Sequence, residues 1–386
     1  MNKRLSLYTA AVLTVLFFGA GLVLAKHRPV WNDEIYSSMR SHNISFLDIL
    51  RGDRQQEGNN SPLFYVAQKT LMLIAQYTPP REWASGDNWS YRHPPSQIVL
   101  RFIPLACMAL MMGILFYYFS RRFSAWAGGY ALAVALSSFM VWAYWAEGRP
   151  YAQLMLLTTV QSLLLIDLAG KASSSSARRW LSVCHWLLAL SSSLSMIQIT
   201  AAAVVYHVSG KRAWKDHLGM TLAPLMICGF YYATSPKYPF WFADSPVQLI
   251  SACVPKDRVL LLFLLGAFVA LRFFRGQGKT EDVKVGMRYL FFLGMVFAGY
   301  VAVIVMLLLK EKEGTEGFQV SNRYFIALAP LGIVATTQLS ALCVRLLRGR
   351  PLLQKGAILG LAVLLAFRSW KTFEHVQSLY RGIFSP

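Results

Sequence analysis

Acidic residues are scarce in this chain: 18 Asp and Glu stand against 38 Lys and Arg in 386 residues. An excess of positive charge that large raises the question of nucleic acid. No basic patch interleaved with aromatics is present to bind one, so that class is set aside. Cysteines are few and scattered. Cys107, Cys184, Cys228 and Cys343 fall in or beside apolar runs and Cys253 in a loop, a spacing that gives neither a disulfide framework nor a metal site. There is no heptad array and no repeat of fixed period. Charge is almost missing from the long apolar runs, Asp167 near one end being the exception. A proton- or ion-coupled transporter keeps ionisable groups near the bilayer midplane, and this pattern argues against one.

What the chain does have is apolar length. Hydrophobic residues make up 55% of it and aromatics 14%, and the apolar residues come in runs of about twenty rather than in strand-like alternation. The expected fold class is an all-α polytopic membrane protein with about eleven crossings, near 5–25, 98–119, 124–145, 150–170, 179–195, 196–210, 217–233, 258–275, 288–309, 323–344 and 353–368. The first, "MNKRLSLYTAAVLTVLFFGAGLVLAKH", reads as a retained helix. A signal peptide cleaved after Ala25 is the alternative, but the apolar region exceeds the roughly 7–15 residues such signals use.

Lys and Arg are distributed by side. Clusters at 121–122, 171–179, 210–215, 272–279 and 345–355 occupy every second connection, which makes those loops cytoplasmic, and Lys3 and Arg4 put the N-terminus with them. Lys26 and Arg28 run against the rule. Most acids fall in the other connections, among them Asp33, Glu34, Asp48 and Glu147. The same parity decides "SPLFYVAQKTLMLIAQY" at 61–77: were it a crossing, all five basic loops after it would lie outside. It is expected as a helix along the outer face, which makes 26–97 one long exterior segment bearing juxtamembrane helices. Residues 1–386 are read as a single integral domain, with no soluble C-terminal domain expected after the last helix.

Polar groups of the outer face then form a short set. "WNDEIYSSMRSHN" at 31–43 opens with Asp33 and Glu34. A bland account exists, in which these acids cap and charge the first turn of a helix. The turn "YWAEGRPYAQ" at 144–153 adds Glu147, Arg149 and Tyr151, and "VSNRYFIALAP" at 320–330 adds Arg323 and Tyr324. Glu147 either contacts a substrate or pairs with Arg149. The arginines either bind an anion or snorkel to head groups, and the tyrosines are more often interfacial packing than ligands. Carboxylates and arginines converging on one face suit a donor built from a lipid tail, a phosphate and a sugar. The cations would stabilise the phosphate as it leaves, and a carboxylate would take the proton of the incoming hydroxyl.

Four stretches carry a family resemblance: "NDEIY" at 32–36, "SPLFYV" at 61–66, "LRFIPLACMALMMGILFYYFSRRF" at 100–123 and "WAYWAEGRPYAQLMLL" at 142–157, with a later echo in "NRYFIALAP" at 322–330. In this order they resemble the GT-C glycosyltransferases of the protein mannosyltransferase and lipid A aminoarabinosyltransferase type, a family-39-like group. The family's His-Pro-Pro-Leu is replaced by Asn60-Ser61-Pro62-Leu63, so no histidine role carries over there. The resemblance implies Asp33 as general base and Glu34 as an assisting group. Successive helical residues point about 100° apart, so the two cannot share one job. Glu147, Arg149, Tyr151, Arg323 and Tyr324 are then expected to bind substrate.

The implied reaction moves a sugar, with inversion, from a polyprenyl-phosphate donor to a lipid, glycan or protein acceptor at the exterior face of a bacterial cytoplasmic membrane. No metal or other cofactor is required by it, although a divalent ion held by isolated carboxylates stays open. Membrane lipids are expected partners and nucleic acid is not. The alternative is a transporter of lipids or lipid-linked sugars, and product formation in detergent separates the two, since transport has no meaning there.

Overall fold

The computed structural model describes residues 3–30, 32–52, 62–80, 94–170, 175–208, 218–234, 265–270, 272–273, 280–310 and 325–380. Every regular element assigned over these residues is helical. Helix α1 (Lys3–His27) carries Lys26 and His27 in its last turn, where cations suit the helix dipole. Short helices follow: α2 (Asn32–Asn43), α3 (Phe46–Arg51) and α4 (Pro62–Ile74). Next come α5 (Pro94–Arg122), α6 (Ala125–Leu136), α7 (Phe139–Trp145) and α8 (Tyr151–Ala169). The chain continues through α9 (Ser175–Ser191), α10 (Ser195–Val208), a π-helical turn at Leu218–Leu222, α11 (Ala223–Thr234), α12 (Thr280–Lys310), α13 (Leu328–Leu346) and α14 (Pro351–Leu379).

Six of these helices are long and apolar enough to cross a membrane: Lys3–His27, Ile98–Arg122, Tyr151–Ala169, Glu281–Val303, Leu328–Gly349 and Pro351–Gln377. Taken as one bent span, α6 and α7 make seven among the described residues. That is fewer than the eleven expected from the sequence. The expected crossings at 179–195, 196–210 and 217–233 correspond to helices α9, α10 and α11, of 17, 14 and 12 residues, and most of 258–275 lies outside the described residues. At ~1.5 Å per residue, the 14 residues of α10 reach only about 21 Å of a roughly 30 Å hydrocarbon core. These shorter helices pack on their neighbours, α9 against α8 and α10 against α12.

The interior is built around α8 and α13, whose apolar windows are 78% and 72% buried, whereas that of α14 is 6% buried and leaves nearly its whole surface free for lipid. Helix α1 lies against α5 at close range. A Cβ on Gly113 would collide with the Thr14 hydroxyl, so glycine is what allows the approach.

Two local breaks position the end of the bundle that carries Asp33 and Glu34. Pro104 lies inside α5 and has no N–H to give to the carbonyl of Leu100 one turn earlier. That carbonyl accepts instead from Gln68 Nε2 of α4 at 3.4 Å. At 13 residues α4 is shorter than the ~20 a crossing needs. It packs beside α2, where the Ser41 hydroxyl donates to Gln68 Oε1 at 2.6 Å and Lys69 Nζ donates to the carbonyls of Ser41 and His42. The second break bends α7 by 73° from α6 at Ser137 and Ser138, within the stretch 124–145 read from sequence as one crossing. Carbonyls freed there are satisfied: Thr372 Oγ1 donates to Ser137 O at 2.6 Å and Trp142 Nε1 to Leu136 O at 2.6 Å. The bend aims the end of α7, and the turn at 146–150 that follows, at the first turn of α2.

Candidate functional site

Asp33 and Glu34 both fall in the first turn of α2, and the structure sends them to different places. Glu34 is fully buried. Its Oε1 accepts from Arg101 Nε at 2.7 Å and from the Gly148 amide at 2.6 Å, and its Oε2 accepts from Arg101 Nη2 at 2.6 Å. Arg101 spends its remaining donors on carbonyls: Nη1 donates to Ala25 at 2.8 Å and Arg28 at 2.6 Å, and Nη2 to Pro29 at 2.8 Å. A guanidinium has five N–H groups, and all five are used. Arg101 thus ties together the end of α1, the linker to α2 and α2 itself, and through Glu34 the turn after α7 joins them. Gly148 is part of the fit, since a Cβ there would sit 3.2 Å from both Glu34 Oε1 and Leu100 O. Burial would raise the Glu34 carboxyl, but the attraction and hydrogen bonds of Arg101, helped by Arg28 and the Gly148 amide, hold it below the usual carboxylate range.

Asp33 keeps a side chain that is 19% exposed, with Oδ2 at 3.6 Å from Arg149 Nη2. Arg149 is itself mostly buried. Its Nη1 donates to the Asp33 carbonyl at 3.2 Å and to Ser37 Oγ at 3.0 Å, and its Nη2 to Tyr151 Oη at 3.4 Å. The guanidinium also lies over the Tyr151 ring, 5.6 Å from its centroid, and Tyr144 meets that ring edge-on. The expected juxtaposition of the first exterior acids with the turn at 144–153 is therefore present, with Arg149 joined to Asp33 rather than paired with Glu147.

Glu147 pairs instead with Arg28, whose Nη2 reaches Oε2 at 3.1 Å. Arg28 also donates to the Ala143 carbonyl and lies over the ring of Tyr380, at the end of α14. Glu147 Oε1 is buried and meets no hydrogen-bond partner among the described residues. Burial pushes this carboxyl up to about 7. Arg28 and Arg149 pull it down, and Glu34 and Asp33 push it up. The folded protein thus holds the Glu147 proton more tightly than the unfolded chain, whose value is near 4.5. The sign follows: the stability gained from that proton is present at acid pH and is lost as pH rises from about 4.5 to about 7. Glu147→Gln, which stays neutral, should therefore gain thermal stability on the wild type between pH 5 and pH 7.5. Melting curves in detergent at the two pH values check this, and an offset that does not change with pH would mean that Glu147 does not titrate there.

Arg28 and Arg101 were not among the candidates read from the sequence, yet both left a trace there. Arg101 is a lone charge near the start of an apolar run, and Arg28 breaks the charge rule that orients the loops. Arg323 and Tyr324 lie outside the described residues. Among the described residues no three His, Cys, Asp or Glu side chains come together in a way that could hold a metal ion.

No protein-family model matches the chain, and no curated protein does. Among solved structures it is similar to an oligosaccharyltransferase from Archaeoglobus fulgidus, crystallised in complex with zinc and sulfate. The TM-score is 0.37 and the identity 12%, over 92% of this chain and 53% of that one. The chain thus spans about half the length of the structure it matches.

Proposed function

We propose that this is an integral membrane glycosyltransferase, which moves a sugar from a polyprenyl-phosphate-linked donor to an acceptor hydroxyl at the exterior face, with Asp33 as general base. The observation that carries the reading is the division of labour between two adjacent acids. Glu34 is buried and saturated by Arg101 and Gly148, and Asp33 is part-exposed beside Arg149. A pair of acids serving only the helix dipole would need neither arrangement.

In the proposed reaction the acceptor oxygen attacks the anomeric carbon as the bond from that carbon to the phosphate oxygen breaks. The hydroxyl proton passes to the Asp33 carboxylate, and the electron pair leaves with the lipid phosphate. One displacement with one base inverts the anomeric centre and needs no covalent intermediate. Arg149, with Arg323 as the second candidate, offers positive charge to the departing phosphate. Tyr151 supports Arg149, and Tyr324 is proposed beside Arg323. Glu34 is a positioning residue in this scheme: it fixes the first turn of α2 against the turn at 146–150 and so sets where Asp33 points. Glu147, whose Oε1 is buried without a hydrogen-bond partner among the described residues, is proposed to accept a hydroxyl of the sugar or acceptor.

Product formation by purified protein in detergent, from a synthetic polyprenyl-phosphate sugar, tests the proposal against the transporter alternative. Arg149→Ala and Arg323→Ala should each weaken donor binding by roughly 10- to 100-fold, the cost of one charge-assisted contact to phosphate. Isothermal titration with a non-transferable donor reads this directly. Unchanged affinity with lowered turnover in Arg149→Ala would make Arg149 the holder of Asp33 alone and move the phosphate to other cations.

A further inference from the structure

The far end of the bundle carries a second cluster that the proposed transfer does not use. Helix α5 runs from Arg101 at the Asp33 end to Arg122 at the other, about 30 Å away at ~1.5 Å per residue. There a cavity of about 210 Å³ opens between the end of α5, the start of α6, the end of α13 and the start of α14. Three arginines line it, Arg122, Arg345 and Arg348, together with Ser124, Trp126 and Gln354, and no acid does among the described residues. Acids outside the lining neutralise two of the three: Asp167 pairs with Arg122 at 3.1 Å and Asp282 with Arg345 at 3.2 Å. Arg348 forms no ion pair among the described residues and is exposed. The cavity wall is thus positive, with one cation whose charge nothing here offsets.

We propose that this cavity binds the phosphate of an anionic glycerophospholipid, in the leaflet at the end of the bundle where the basic loops collect. Guanidinium groups match phosphate oxygens in geometry as well as charge. The volume is below the roughly 300–1,000 Å³ of pockets that enclose a drug-sized molecule, which suits a small head group. The surroundings favour a lipid over a free ion. Trp126, stacked on Tyr130 with ring centres 5.2 Å apart, is exposed at the rim, where an indole suits the boundary between head groups and chains. Beside Gln354 the first turn of α14 turns Leu352 and Leu353 outward, and Leu359, Val363 and Phe367 continue that exposed apolar surface along the helix, against which acyl chains can lie. Basic pockets between membrane helices on the cytoplasmic side are known binders of phosphorylated head groups.

The test uses the full chain in neutral detergent, titrated with phosphatidylglycerol or phosphatidylcholine and read by native mass spectrometry. The expected result is saturable retention of phosphatidylglycerol over phosphatidylcholine. Arg348→Gln should cut that retention about fivefold and Arg348→Lys much less, since the charge near the surface supplies the attraction. Because Arg348 is exposed and forms no ion pair among the described residues, an unchanged melting temperature shows that the variant is folded. Equal retention of the two lipids, or retention indifferent to Arg348→Gln, overturns the proposal. Inorganic phosphate is the third probe. Failure of millimolar phosphate to displace the lipid supports the lipid assignment, and binding of phosphate without retention of phosphatidylglycerol overturns it in favour of a soluble anion.

Discussion

Asp33→Asn should lower turnover by roughly 10² to 10⁴-fold while donor affinity stays nearly as in the wild type. Asparagine keeps the size of the side chain, and the backbone carbonyl at position 33 still accepts from Arg149 Nη1, so α2 and the turn at 146–150 should stay in place. What it cannot do is take a proton from the acceptor. Asparagine is about as good as aspartate at a helix start, so a purely capping Asp33 predicts no appreciable change in either turnover or melting temperature. The two accounts therefore diverge by orders of magnitude in one assay. A folded Asp33→Asn protein that turns over at the wild-type rate would remove the proposed base and most of the case for transfer chemistry.

Glu34→Gln should act on stability instead. The Glu34–Arg101 pair is 0% exposed on both sides, and removing one charge leaves the other buried without compensation. Breaking such a pair costs on the order of 3–5 kcal/mol. Total stabilities are about 5–15 kcal/mol, so the expected result is a marginally folded protein with a sharply lower melting temperature and poor yield. Its surviving folded fraction should retain more turnover per molecule than Asp33→Asn does. Combining Glu34→Gln with Arg101→Met removes the orphaned charge and should recover part of the lost stability. A Glu34→Gln protein of wild-type melting temperature would show that Arg101 is held by its carbonyl partners alone.

How far the sequence could be read depended on the distance over which each signal acts. The long runs giving α1, α5, α8, α12, α13 and α14 were legible because a crossing needs about twenty consecutive apolar residues and little else. The stretches 179–195, 196–210 and 217–233 read as crossings because they are continuous and apolar, but the helices formed there, α9, α10 and α11, have 17, 14 and 12 residues, fewer than the ~20 of a full crossing. Polar side chains join α9 to α8: Gln161 Nε2 and His185 Nε2 meet at 3.0 Å, and Gln153 donates to Ser191. The bend after α6 left only the Ser137–Ser138 pair as a trace. At the candidate site, the placement of Asp33 beside Arg149 followed from the order of short motifs. The partner of Glu34 did not, because 67 positions separate it from Arg101 and no local pattern connects them. Recovering it needed a different question, namely which neighbour a solitary cation in an apolar run requires.

The Arg101 junction also fixes an order of events during synthesis. Ala25, Arg28, Pro29 and Glu34, which together occupy every donor of Arg101, all leave the ribosome before it does. The guanidinium can therefore be neutralised as soon as α5 enters the bilayer, and it need not wait in lipid for a later helix. The Gly148 amide and Arg149 emerge only after α6 and α7 have been made. The first two long helices and the short segment between them thus hold every partner Arg101 needs, and the cation that adjoins Asp33 comes from a later part of the chain.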